Sequence, residues 1–279
     1  MSSSSAGAQQ ESHQRVGYDT STRKWTGQGL AIVSDRSGQV LLSVPIEFLS
    51  KGMVNSFAYV LQSIHMAFDV RAGHICSEAG DECSPLDAVT PGRFIYWNAE
   101  TVFCRPRIGP RFKFMSRPPH AGDDLASTMS NSKRSSANQS KFRFTVVARD
   151  YFCLISDVEY PSCTAAHILP VSRPEYYTEV LGHTPTSLFQ TQFGVLLRDD
   201  IHHAFDRGHI ALYPLMNTEN ELVVHIFYPE TQSQRDFHGK VIRPEIRFRG
   251  PPDDYPDTQM LLFHYQQCVI KCFRGWSAF

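Results

Sequence analysis

A chain of 279 residues with 42% apolar and 20% charged side chains can bury a substantial core and has the make-up of a soluble globular protein. Its formal net charge of −1 excludes a global attraction to nucleic acid or anionic membranes, so any such attraction has to come from local patches. No apolar run approaches the ~20 residues that span a bilayer, which sets membrane partners aside.

Residues 1–26 are Ser/Gln-rich and lack the basic start and apolar core of a signal peptide. They predict a disordered N-terminus on an intracellular protein of the cytoplasm or nucleus. Residues 27–115 predict a small α+β module. Leu30–Val33 and Val40–Val44 read as strands around a tight loop at 34–38. Val54, Phe57, Ala58, Leu61, Ile64 and Phe68 follow a helical spacing, and Arg93–Trp97 reads as a further strand before the run Thr101–Cys104. Nothing in this module assembles a recognisable active site. Residues 116–140, rich in Ser, Pro, Gly and Asn, predict a linker or long mobile loop. Ten Lys/Arg against two Asp between Arg105 and Arg149 read either as a solvated face or as a phosphate-contacting flank.

Residues 141–279 predict a second α+β module. Its opening, 142–150, fits either a helix with Phe142, Val146 and Arg149 on neighbouring turns or a strand. Strands are predicted at Ala165–Leu169, Gly194–Leu197, His209–Tyr213 and Leu222–Phe227. Asp199 or Asp200 would cap a short helix that stops at Gly208. Asp257 or Thr258 would start a last helix with Leu261, Tyr265, Cys268, Val269 and Cys272 in one stripe, closed by Gly275. Seven cysteines at irregular spacing, with no C-x-x-C pair, read as reduced thiols and not as a zinc knuckle or a disulfide framework.

One histidine-bearing constellation carries chemistry. His167 ends the small apolar run Ala165-Ala166-His167-Ile168-Leu169-Pro170. A strand and then a short helix bearing His202, His203 and Asp206 follow it. His202 and Asp206 are four apart and share a helical face, while His203 points elsewhere. Cutting a phosphodiester needs a base for water and a cation for the developing charge, tasks suited to imidazole and to imidazole or carboxylate ligands.

These blocks resemble the HNH endonucleases with a ββα-metal fold. The branch in question carries AAHI-x-P and then NGLLL-x-x-x-(L/I)-(H/D)-x-(L/A)-F-D-x-G, here Ala165–Pro170 and Phe193–Gly208. Arg149–Asp157 is similar to the family's RD-x-x-C lead-in, and the C-terminal helix is similar to that of fungal forms. The resemblance implies an α+β fold with the HNH-like module in the C-terminal half, and a metal-dependent endonuclease acting on DNA. By position it gives His167 the role of general base and makes His202 a metal ligand, with Asp206 as a supporting carboxylate at the metal. The implied cofactor is a divalent ion, Mg2+ in the first place, with Mn2+ or Zn2+ as alternatives. Lys141, Arg143, Arg149 and Arg198, with Arg243, Arg247 and Arg249, would contact phosphates. Two positions depart from the pattern. Phe193 stands where the family has asparagine, and Ala166 and Thr164 stand where many members carry a carboxylate. They favour the alternative of an HNH fold that binds nucleic acid or a protein partner without cutting.

Overall fold

The computed structural model describes residues 20–70, 72–100, 104–107, 128–215 and 221–274. In the first half a single carboxylate sets the opening turn. Asp35 accepts from the backbone N–H groups of Ser37 and Gln39 and from Ser37 Oγ, and Gly38 takes a φ of 83° to return the chain. Strands β1 (Leu30–Ser34) and β2 (Val40–Pro45) thus pair antiparallel. With β3 (His74–Ser77) and β4 (Gly92–Trp97) they form a sheet of order β2-β1-β4-β3, in which β4 runs parallel to β1. Helix α1 (Ile46–Lys51) follows β2, and α2 (Phe57–Ala67) is capped by Ser56, whose side chain accepts from Tyr59 N–H. Of the run Thr101–Cys104, residues 101–103 lie outside the described residues.

The second half begins with α3 (Thr128–Asp150). The segment 116–140 is therefore helical from Thr128 and not a loop, while 116–127 lie outside the described residues. At its C-terminal end α3 buries Phe142 and Val146 and leaves Lys141, Arg143 and Phe144 exposed, so an apolar stripe fixes this part as helix. A two-stranded ribbon of β5 (Cys163–His167) and β6 (Gly194–Arg198) flanks α4 (Pro174–Leu181) and leads into α5 (Asp199–Asp206). Strands β7 (Ile210–Pro214), β8 (Leu222–Ile226) and β9 (Val241–Ile242) form a third sheet. Two short helices, α6 (Gln232–Asp236) and α7 (Pro244–Arg247), precede α8 (Thr258–Cys272). Asp257 caps α8 by accepting from Met260 N–H, and the helix ends at Cys272, ahead of Gly275, which lies outside the described residues.

The fold is α+β, and one apolar core runs through both halves. Disorder was the expectation for 1–26, of which 1–19 lie outside the described residues. From Thr20 on, that segment is instead built into the core. Ser21 Oγ donates to the Phe227 carbonyl at 2.6 Å, and the fully buried Trp25 donates through Nε1 to the Ile226 carbonyl at 2.9 Å. Helix α8 packs against both β7 and α2 and so joins the halves.

Two buried histidines tie this junction. His225 donates through Nε2 to the Gly52 carbonyl and accepts from the Tyr265 hydroxyl, while His238 donates to the Phe48 carbonyl and accepts from Ile226 N–H. Each ring uses one donor and one acceptor, which requires the neutral form. Burial pushes both below the ordinary value of 6.5, His238 to about 4. In the unfolded chain these rings take up protons near 6.5, whereas in the folded chain His238 stays neutral down to about 4. The unfolded state therefore binds more protons in that window, and stability falls as pH drops through it. A falling melting temperature already between about pH 6.5 and 5, where ordinary carboxylates remain ionised, is the expected result. A flat profile there would contradict it.

Candidate active site

The site is positioned from α3 outward. Arg149 and Asp150, both buried, form a forked ion pair with N–O distances of 2.6 and 2.9 Å. The remaining guanidinium donors go to the carbonyls of Thr191, Gly194 and Asp254, while Asp150 accepts from Leu196 N–H. Arg149 thus holds α3 against the start of β6 and has no N–H left for a phosphate. The expectation that it contacts nucleic acid is corrected on that ground. Arg247 gives three bonds to the carbonyls of Asp150, Phe152 and Cys153 and keeps a buried Nε without a partner among the described residues, and Arg243 pairs with Glu221. Arg249 lies over the Tyr151 ring. Arg198 grips Asp200 with two bonds of 2.6 and 2.9 Å, which holds the Asp200 carboxyl below its usual range. Lys141 and Arg143 remain exposed on α3, Arg143 giving one bond to the Cys163 carbonyl.

The ribbon brings His167 opposite Gly194. The His167 ring stacks on Phe142 of α3 with centroids 3.9 Å apart and planes 12° off parallel, and Phe189 meets it edge-on at 5.4 Å. Gly194 is what permits this stack. A Cβ there would run into the Phe142 ring and come within 3.0 Å of the Ala166 carbonyl. Gly194→Ala is therefore expected to cost about 1–3 kcal/mol by overpacking and to displace the His167 ring. Denaturant titration together with the His167 imidazole NMR signals reads both effects, and unchanged signals would contradict them.

Phe193 packs in the core against Tyr177, so it offers the site no side-chain hydrogen bond. Its backbone takes part of that duty: the Phe193 carbonyl accepts from Ile168 N–H at 2.9 Å, and the Tyr177 hydroxyl donates to the Leu169 carbonyl at 2.5 Å. The loop after His167 is fixed by these two bonds. Ala166 is buried and supplies no donor atom, while Thr164 braces the start of α5 by donating to Asp199 at 2.6 Å.

On α5, His202 Nε2 lies 3.2 Å from Asp206 Oδ2, and the carboxylate hydrogen bond raises the His202 pKa. His203 is exposed beside it. His167, His202 and Asp206 all line one cavity of about 440 Å3. Its other walls come from the loop after β5, from Tyr176 of α4, and from Phe263, His264 and Gln267 of α8. The two histidine-bearing blocks thus meet in space. His167 is held neutral by burial, with a pKa of about 4, against a smaller upward pull from the Leu188 backbone and from Asp206. The stacking partner Phe142, the clamp Tyr177 and the α8 wall were not assigned to the site from sequence. Phe142, on a segment that fits either a helix or a strand, was the one visible signal; α8 reaches the site through tertiary packing alone.

The donor set decides what metal the site suits. Among the described residues no group of three or more His, Cys, Asp or Glu is placed to hold an ion. Those residues offer no ligand set for a caged structural metal. The His202–Asp206 pair does fit a hydrated divalent ion that takes two protein ligands and completes its shell with water and phosphate oxygens. Among the described residues no helix is long and apolar enough to cross a membrane.

Residues 153–213 match the sequence model of the HNH endonuclease family. No curated protein and no solved structure matches the chain significantly. The match covers the ribbon and α5, the elements that carry His167 and His202 to one cavity, and reaches into β7. In its C-terminal half, at residues 153–213, the chain carries a domain of the HNH endonuclease family.

Proposed function

We propose that the protein is a metal-dependent endonuclease that hydrolyses phosphodiester bonds in DNA. The observation that carries this reading is the shared cavity, with a neutral imidazole on one wall and an imidazole–carboxylate pair on another. His167 acts as the general base. Its Nε2 is enclosed without a hydrogen-bond partner among the described residues, so the Leu188 backbone bond that favours a ring proton falls to Nδ1, and we assign the lone pair that takes the proton from water to Nε2. His202 and Asp206 would hold the divalent ion, Mg2+ in the first place. Such an ion would stabilise negative charge on the phosphate and the leaving oxygen. Because the carboxylate stabilises protonated His202, the ring must lose that proton before it can ligate, and activity rises with pH through the His202 titration. Lys141 and Arg143, exposed at the end of α3, would contact backbone phosphates.

A second reading is a domain that binds without cutting. It is favoured by Ala166, which leaves the position ahead of His167 without a ligand. Supercoiled plasmid separates the two. Incubation with Mg2+ or Mn2+ is expected to give nicked circles, and EDTA is expected to stop the reaction. Inert protein across several divalent ions, with nucleic acid still bound, would leave the second reading standing.

A further inference from the structure

The cavity extends beyond the histidines, and its larger part is apolar. Ile168 and Val171 from the loop after β5, Tyr176 and Phe263 form this part, the two rings having centroids 5.9 Å apart. Gln267 lies one helical turn beyond Phe263, on the same face of α8, and completes the wall. Its Nε2 is enclosed without a hydrogen-bond partner among the described residues. A phosphate and an attacking water call for polar surroundings, so this wall serves another part of the ligand. An enclosed amide N–H without a partner costs free energy that an acceptor on the ligand's edge recovers. The cavity of about 440 Å3 falls in the range that takes a small molecule or a single nucleotide.

Resting on the nuclease reading of the histidines, we propose that this wall receives one unstacked nucleobase of the strand being cut. The base packs against Tyr176 and Phe263 and turns its polar edge to Gln267. Aromatic walls accept any base by its flat face, so the pocket selects for an unpaired strand more than for a sequence. Unstacking costs least where the strand is already single or mispaired, and that difference becomes the selectivity. The substrate class is accordingly single-stranded or locally unpaired nucleic acid.

Fluorescence anisotropy in EDTA, with a short fluorescein-labelled oligonucleotide and its perfect duplex, tests this without any cleavage. The strand is expected to bind about tenfold or more tighter than the duplex. Gln267→Leu and Phe263→Ala should each shrink that ratio severalfold. Gln267→Leu removes the amide yet leaves an apolar side chain of comparable bulk, so it decides the matter where Phe263→Ala fails to fold. A duplex bound as tightly as the strand, or a wild-type ratio in folded Gln267→Leu, would overturn the proposal. Plasmid nicking is scored separately. Strand selectivity without nicking sinks the nuclease reading alone, and nicking without strand selectivity sinks the base pocket alone.

Discussion

His167→Ala is expected to lower the rate of plasmid nicking by about 10²–10⁴-fold, the usual contribution of a positioned general base. Two features make the imidazole suited to that work. It is neutral throughout the physiological range, because burial has pushed its pKa to about 4. It is also held rigidly between the Phe142 face and the Phe189 edge. Rigidity matters because a misplaced base loses much of its advantage. The low pKa makes the ring a weaker base than a free imidazole, so added imidazole in solution should partly rescue the alanine variant. Loss of fold is the competing explanation, and it is settled by melting curves. The substitution removes a stacked ring but leaves Gly194, Tyr177 and the loop hydrogen bonds in place. A folded His167→Ala protein that nicks at the wild-type rate would remove His167 from the mechanism.

The second large effect is on stability. Arg149→Ala is expected to cost about 3–5 kcal/mol, because it leaves the Asp150 carboxylate buried without its partner. The carbonyls of Thr191, Gly194 and Asp254 lose their donors in the same step. Against a total stability of about 5–15 kcal/mol for a typical domain, that loss brings the chain to the edge of unfolding. Arg149→Lys should recover little of it, since an ammonium cannot reproduce the fork that meets both Asp150 oxygens. Arg143→Ala serves as the contrast. Arg143 is exposed with one hydrogen bond, so its removal should change stability by less than about 1 kcal/mol. Urea titrations of the three variants check the order. An Arg149→Ala protein as stable as wild type would show that the buried pair does not anchor α3.

The parts of the site that were legible in the sequence are those encoded locally. A strand of small residues ending in His167, a strand beginning at Gly194, and a helix with His202 and Asp206 one turn apart all follow from short-range spacing. The register His167↔Gly194 then puts the pieces together. What sequence did not disclose depends on distant packing. Trp25 sits among polar residues that argue for disorder, yet its indole is buried against the end of β8, a partner that no local pattern names. The start of α3 is rich in Ser and Asn, weak helix formers, while the Phe142–Val146 stripe and the Arg149–Asp150 pair at its other end are secured by packing. Arg149 looked like a phosphate ligand because charge was counted without partners. The aspartate beside it was the available sign of a buried pair. The α8 wall of the cavity shows in sequence only as an ordinary amphipathic helix, because nothing in its own spacing says that it closes over His167.

The mechanism centres on an ion held by His202 and Asp206 within reach of His167. Manganese titration followed by electron paramagnetic resonance tests that most directly, using wild type, His202→Ala and Asp206→Ala with a short oligonucleotide present. The mechanism predicts a bound-ion signal in wild type that weakens about tenfold or more in His202→Ala and falls in Asp206→Ala. It also predicts tighter binding at higher pH, as His202 sheds its proton. Equal manganese affinity in all three proteins would contradict it.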